Sequence, residues 1–163
     1  MRKTIGFLIL LSIQVGCTKN IEKENFRLAG AYKIEQVTVV NYANGIEVNT
    51  LSKDNVGYLE LNFEGGGDIQ THDGRFKLNE GESLISLNEQ MVGTTTFDWS
   101  LEDDKRISMI ANDPLLTFPY ALTYTIESVG KRDKKFIYAK PFYDTDGNFY
   151  EEIETIHLTF LKY

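Results

Sequence analysis

The chain has 163 residues, with 17 basic and 24 acidic side chains, a net charge of −7 and a single cysteine. That length suits one domain with its own core. The acidic balance argues against a nucleic-acid surface, which needs clustered Lys and Arg, and one cysteine excludes an intramolecular disulfide.

Arg2 and Lys3 open the chain, an almost wholly apolar run fills residues 5–15, and Gly16 and Cys17 follow. A charged start, a short apolar stretch and a small residue before the cut are the layout of a secretory signal peptide. The run is too short to span a bilayer, which takes about 20 apolar residues. Gln14-Val15-Gly16-Cys17 resembles the lipobox of bacterial lipoproteins, with Gln14 where that family has Leu. The resemblance implies a signal peptide over residues 1–16 and acylation of Cys17, palmitate being the usual kind of chain. The alternative is ordinary signal-peptidase cleavage that leaves a free thiol. Two or more acyl chains anchor a protein stably where one does not. Thr18 stands where Asp favours inner-membrane retention in enterobacterial lipoproteins, which points to an outer membrane. Residues 17–25 are polar and read as a tether. Loss of Arg2 and Lys3 leaves 15 basic residues against 24 acids, about −9, so membrane contact is expected from the lipid and not from surface charge.

From Leu28 onward, period-2 alternation and turn residues dominate. Residues 31–42 read as a long first strand whose apolar face switches near Gln36, which predicts a bulge. Residues 41–55 read as a loop. Leu59, Leu61 and Phe63 share one face of a second strand, which stops at Gly65-Gly66-Gly67. His72-Asp73-Gly74 separates two short strands, Asp-Gly being a strong turn signal. Thr95, Phe97, Trp99 and Leu101 form the next apolar face. A turn at Glu102-Asp103-Asp104-Lys105 leads to Ile107, Met109 and Ala111. Leu122, Tyr124 and Ile126 alternate with Thr123, Thr125 and Glu127. Phe136, Tyr138 and Phe142 form another face, Asp144-Thr-Asp-Gly147 turns the chain, and Ile156, Leu158 and Phe160 oppose Thr155, His157 and Thr159. Eight or nine short antiparallel strands, each with one apolar face, predict an all-β fold, either an up-and-down barrel or a β-sandwich. A barrel has the advantage of leaving no edge strand.

Leu28-Ala-Gly30-Ala-Tyr32-Lys-Ile34 is similar to the opening strand of lipocalin-like (calycin) domains of small bacterial lipoproteins, with Tyr32 in place of Trp. The order of strands, Thr96-Phe97-Asp98-Trp99 and the closing Leu158-Thr-Phe-Leu-Lys162 are also similar. The resemblance implies a barrel over residues 26–163.

Chemistry is sparse. His72 and His157 are the only histidines and lie far apart in the chain, so no zinc-ligand spacing exists. Both read as solvent-facing. Asp144-Thr-Asp146-Gly147-Asn148 has its glycine fourth and Thr155 at position twelve, which is not the calcium-loop pattern. Glu151, Glu152 and Glu154 on the last strand read as surface. No nucleophile elbow and no phosphate loop is present. The expectation is a non-enzymatic protein with neither metal nor cofactor.

What remains is aromatic. Large amphipathic rings fill the core of a small β domain or line a ligand pocket. Phe63, Phe97, Trp99, Tyr124 and Tyr138 are the candidate wall residues, with core packing as the alternative use of each. The sequence therefore predicts a membrane-anchored envelope lipoprotein that holds a small hydrophobic or amphipathic ligand. The alternative is a non-catalytic scaffold that binds another envelope protein through loop 41–55 or through segment 112–121, where Leu115, Leu116, Phe118 and Tyr120 cluster.

Overall fold

The computed structural model describes residues 27–72, 75–76, 85–86, 93–111 and 121–161. The expected signal peptide, Cys17 and the expected tether lie outside the described residues, as does the apolar cluster at 115–120. The described residues form ten strands: β1 (Gly30–Ala43), β2 (Ile46–Leu61), β3 (Gly66–Thr71), β4 (Arg75–Phe76), β5 (Ile85–Ser86), β6 (Gly93–Asp103), β7 (Arg106–Ala111), β8 (Ala121–Ser128), β9 (Lys134–Tyr143) and β10 (Phe149–Phe160). Eight of them close into an antiparallel barrel in the order β1-β10-β9-β8-β7-β6-β3-β2. Strands β4 and β5, which fall between β3 and β6 in the chain, pair with each other as a separate two-stranded sheet. The barrel is thus of the up-and-down kind, and the sandwich alternative is excluded by closure of β1 on both β2 and β10.

Alternation produces this fold because successive side chains of a strand point to opposite faces, so one face can fill the barrel interior. The inward row includes Tyr32 and Ile34 on β1, Leu59 and Leu61 on β2, Ile69 on β3 and Phe97 and Trp99 on β6. Ile107 and Met109 on β7, Leu122 and Tyr124 on β8, Phe136 on β9 and Ile156 and Leu158 on β10 complete it. In β1 the buried positions change from even to odd at Val37 and Val39. The register of β1 slips between Ile34 and Gln36 against both neighbours. One extra residue there keeps both halves of the strand facing inward, which is the bulge expected at Gln36.

Two expectations are corrected. Residues 41–55 are not a loop: β1 and β2 stay paired to Ala43 and Ile46, and only Asn44 and Gly45, with φ of 50° and 80°, turn the chain. Both faces of β2 are largely exposed from Ile46 to Asn55, so no alternation marks a strand there. Its pairing comes from the backbone ladder, with Gln36–Asp54 at 2.8 Å and Thr38–Ser52 at 3.3 Å as cross-strand side-chain bonds. The β2–β3 turn falls earlier than Gly65-Gly66-Gly67, at residues 62–65, because the Trp99 indole N–H donates to the carbonyl oxygens of Asn62 and Gly66 and holds the corner there.

Among the described residues, every barrel strand and the buried core lie between Leu28 and Phe160, so the barrel closes within that span. Its two ends differ. At the entry end the chain arrives through Arg27 and Leu28, beside the β2–β3, β6–β7 and β8–β9 turns and the end of β10. At the far end the β1–β2 and β9–β10 hairpins turn.

Candidate functional site

The entry end is built around a short fold-back of the chain. Leu28 is buried against the barrel core, and its carbonyl oxygen accepts a 2.6 Å hydrogen bond from the Tyr32 hydroxyl. Between them Gly30 adopts φ of 149°, with the ring of Phe160 packed against its Cα. A side chain at that position would overlap the ring, so glycine is required both by its backbone angle and by the contact. The Phe160 and Tyr32 rings meet edge to face, with centroids 5.3 Å apart. These contacts explain Leu28, Gly30 and Tyr32 as one local unit that seals the barrel. Burial pushes the Tyr32 phenol up to about 12, against an opposing effect of the Arg132 charge.

Outside this seal lies a cavity of about 750 Å³. Its apolar lining is Leu28, Ala29, Phe63, Leu101, Ile126 and Phe160. Ala29, Leu101, Ile126 and Phe160 are partly buried and pack on the core, so the floor of the cavity is the outermost layer of the barrel interior. Phe63, in the β2–β3 turn, is 54 % exposed and stands at the mouth. Arg27, Lys131, Arg132 and Lys134 also line the cavity, with Asp104 and Ser128. The Arg132 guanidinium carbon lies 4.8 Å from the Phe160 ring centroid, a cation–π distance. Lys134 Nζ donates to Ser128 Oγ at 3.0 Å. An apolar floor beside several fixed polar heads is the composition of a small-molecule site.

The five aromatic candidates do not form one site. Phe63 alone lines the cavity. Phe97 and Trp99 are buried in the core, where Trp99 fixes the turn that carries Phe63. Tyr124 and Tyr138 lie deeper in the barrel, with ring centroids 5.4 Å apart. There the Tyr124 hydroxyl donates to Glu154 Oε1 at 3.0 Å. Burial raises the Tyr138 phenol, and the nearby charges of Glu154 and Glu152 raise it further.

Glu154 corrects the surface reading of the last strand, since it is 0 % exposed. The signal was its parity: residues 154, 156 and 158 share the inward face of β10. Also missed was the run Lys131-Arg132-Asp133-Lys134-Lys135, four bases within five residues of an acidic chain. His72 is exposed at the end of β3, and His157 is half-buried on the outward face of β10, where burial and Lys135 hold its imidazole below the usual range. Asp144 closes its turn by accepting from the backbone N–H groups of Asp146 and Asn148 and from Asn148 Nδ2. No protein-family model matches the chain, and no curated protein and no solved structure is significantly similar to it.

Proposed function

We propose that the chain is an envelope lipoprotein, anchored through acylated Cys17, whose lipocalin-like barrel holds a small amphipathic ligand in the entry-end cavity. The observation that carries this reading is the cavity itself: about 750 Å³, floored by apolar side chains and rimmed by polar ones, within the size range of ligand pockets. Binding comes from burial of the apolar part of the ligand on Leu101, Ile126 and Phe160, while the rim orients its polar head. The tether supports the arrangement, because the nine residues 17–25 reach at most roughly 32 Å and keep this end close to the membrane.

Native mass spectrometry of the full-length protein extracted from membranes tests the reading. A retained small molecule of constant mass, lost in Leu101→Asp, is expected. Protein that carries nothing and binds no added amphiphile contradicts it. Anchorage has its own test. Cys17→Ser should leave the membrane-bound, acylated pool empty, and an acylated Cys17→Ser product contradicts the assignment.

A scaffold role has a separate observation in its favour. Ile46 and Val48 on β2 and Tyr143 on β9 are 71 %, 60 % and 71 % exposed at the far-end hairpins, where apolar side chains mark contact surfaces when contiguous. The two readings separate by location, since one depends on entry-end residues and the other on far-end residues.

A further inference from the structure

We infer that the entry-end cavity takes an anionic amphiphile, with its carboxylate or phosphate head against Lys131, Arg132 and Lys134 and its chain over Leu101, Ile126 and Phe160. The inference rests on the cavity being the ligand site proposed above and adds the charge class of the ligand.

The first argument is local reversal of charge. The chain carries −7 overall, yet the cavity is lined by four cations and one carboxylate, Asp104. The one acid of the β8–β9 connection, Asp133, is turned to the strand end, where its Oδ1 accepts from the Phe160 backbone N–H at 3.3 Å. It is not part of the lining. The lining is therefore net positive on a chain that is net negative, which favours an anionic head there.

The second argument is placement. Arg132 is held at the Phe160 ring, 4.8 Å from its centroid, and Lys134 at Ser128 Oγ, 3.0 Å away. Ring and hydroxyl both belong to the lining, so the charged heads adjoin the apolar floor. A guanidinium recognises oxyanions through a planar fork of donors, and an ammonium does so as a point charge. A cationic amphiphile is repelled there, a neutral one gains hydrogen bonds but no charge–charge attraction from the rim, and a free inorganic anion leaves the floor unused. Head and chain together match both halves of the site.

The test is calorimetric titration at low salt of the chain from residue 17 onward carrying Cys17→Ser, which retains the whole barrel. The probes share one chain length: dodecanoate, dodecyl phosphate, dodecyl maltoside and dodecyltrimethylammonium, each below its micelle concentration. The anions should bind at least about tenfold more tightly than the maltoside, with a gap that narrows in high salt, and the cation most weakly. Combined Lys131→Gln, Arg132→Gln and Lys134→Gln should remove the gap, and Lys140→Gln on β9 should keep it. Preference for dodecanoate identifies a free fatty acid as the source, and preference for dodecyl phosphate identifies a lipid phosphate. Equal affinity for anions and maltoside, or tightest binding of the cation, overturns the inference while the cavity reading stands. No binding of any probe overturns both. The series on the unsubstituted site decides the matter even where the triple variant fails to fold.

Discussion

Inside the barrel the Tyr124 hydroxyl donates a 3.0 Å hydrogen bond to the carboxylate of Glu154, and both residues are fully buried. A buried carboxylate that loses a donor keeps its desolvation cost without that compensation. Tyr124→Phe preserves the ring packing on Phe136 and Tyr138 and removes only the hydroxyl. It should lower unfolding free energy by about 1–3 kcal/mol, read as a lower urea midpoint with unchanged slope. An unchanged midpoint would show that Glu154 does not depend on this bond.

Gly30→Ala should destabilise the barrel by at least about 2 kcal/mol, because the new methyl meets the Phe160 ring and the backbone angle is one that L side chains rarely adopt. Chemical denaturation checks this. The same variant should weaken ligand binding, since Phe160 must move away from the floor it helps to form.

The raised phenol of Tyr32 makes a prediction at alkaline pH. Its folded-state value, about 12, lies above the ordinary value of 10.0, so the folded state favours the protonated phenol. Its contribution to stability is complete below pH 10 and is lost as pH rises from there through about 12. Urea midpoints should therefore fall over that window, and the fall should be smaller in Tyr32→Phe. Tyrosinate absorbance should show late-titrating phenols, Tyr138 among them, with the contribution of Tyr32 lost in the same variant. Simultaneous ionisation of all tyrosines near pH 10 would contradict the burial assigned to Tyr32.

Trp99 is the only tryptophan, so fluorescence reports its environment directly. Its emission should be blue-shifted, as expected for an indole in the core. Trp99→Phe removes the donor to Asn62 and Gly66 and should cost about 1–3 kcal/mol. It should also loosen the turn that carries Phe63 and so reduce ligand affinity. Emission typical of a water-exposed indole would refute this role.

Much of the barrel was legible in the alternation of single strands, including the face switch at Gln36. Residues 46–55 were not, because a strand exposed on both faces has no hydrophobic period to read. Glu154 was legible by parity, yet its charge outweighed its position in the sequence reading. The cavity was not legible at all. Leu28, Phe63, Leu101, Ile126 and Phe160 are far apart in the chain and meet only because the strands close with a particular stagger, which alternation does not specify. The bases at 131–135 were visible as composition, but only the fold places three of them beside an apolar floor.

The most direct measurement is amide chemical-shift mapping of the Cys17→Ser chain during titration with a twelve-carbon amphiphile. The account predicts saturable shifts at Leu28, Phe63, Leu101, Ile126 and Phe160, with Ile46, Val48 and Tyr143 unmoved. Shifts confined to the far-end hairpins, or none at all, would contradict a ligand site at the entry end.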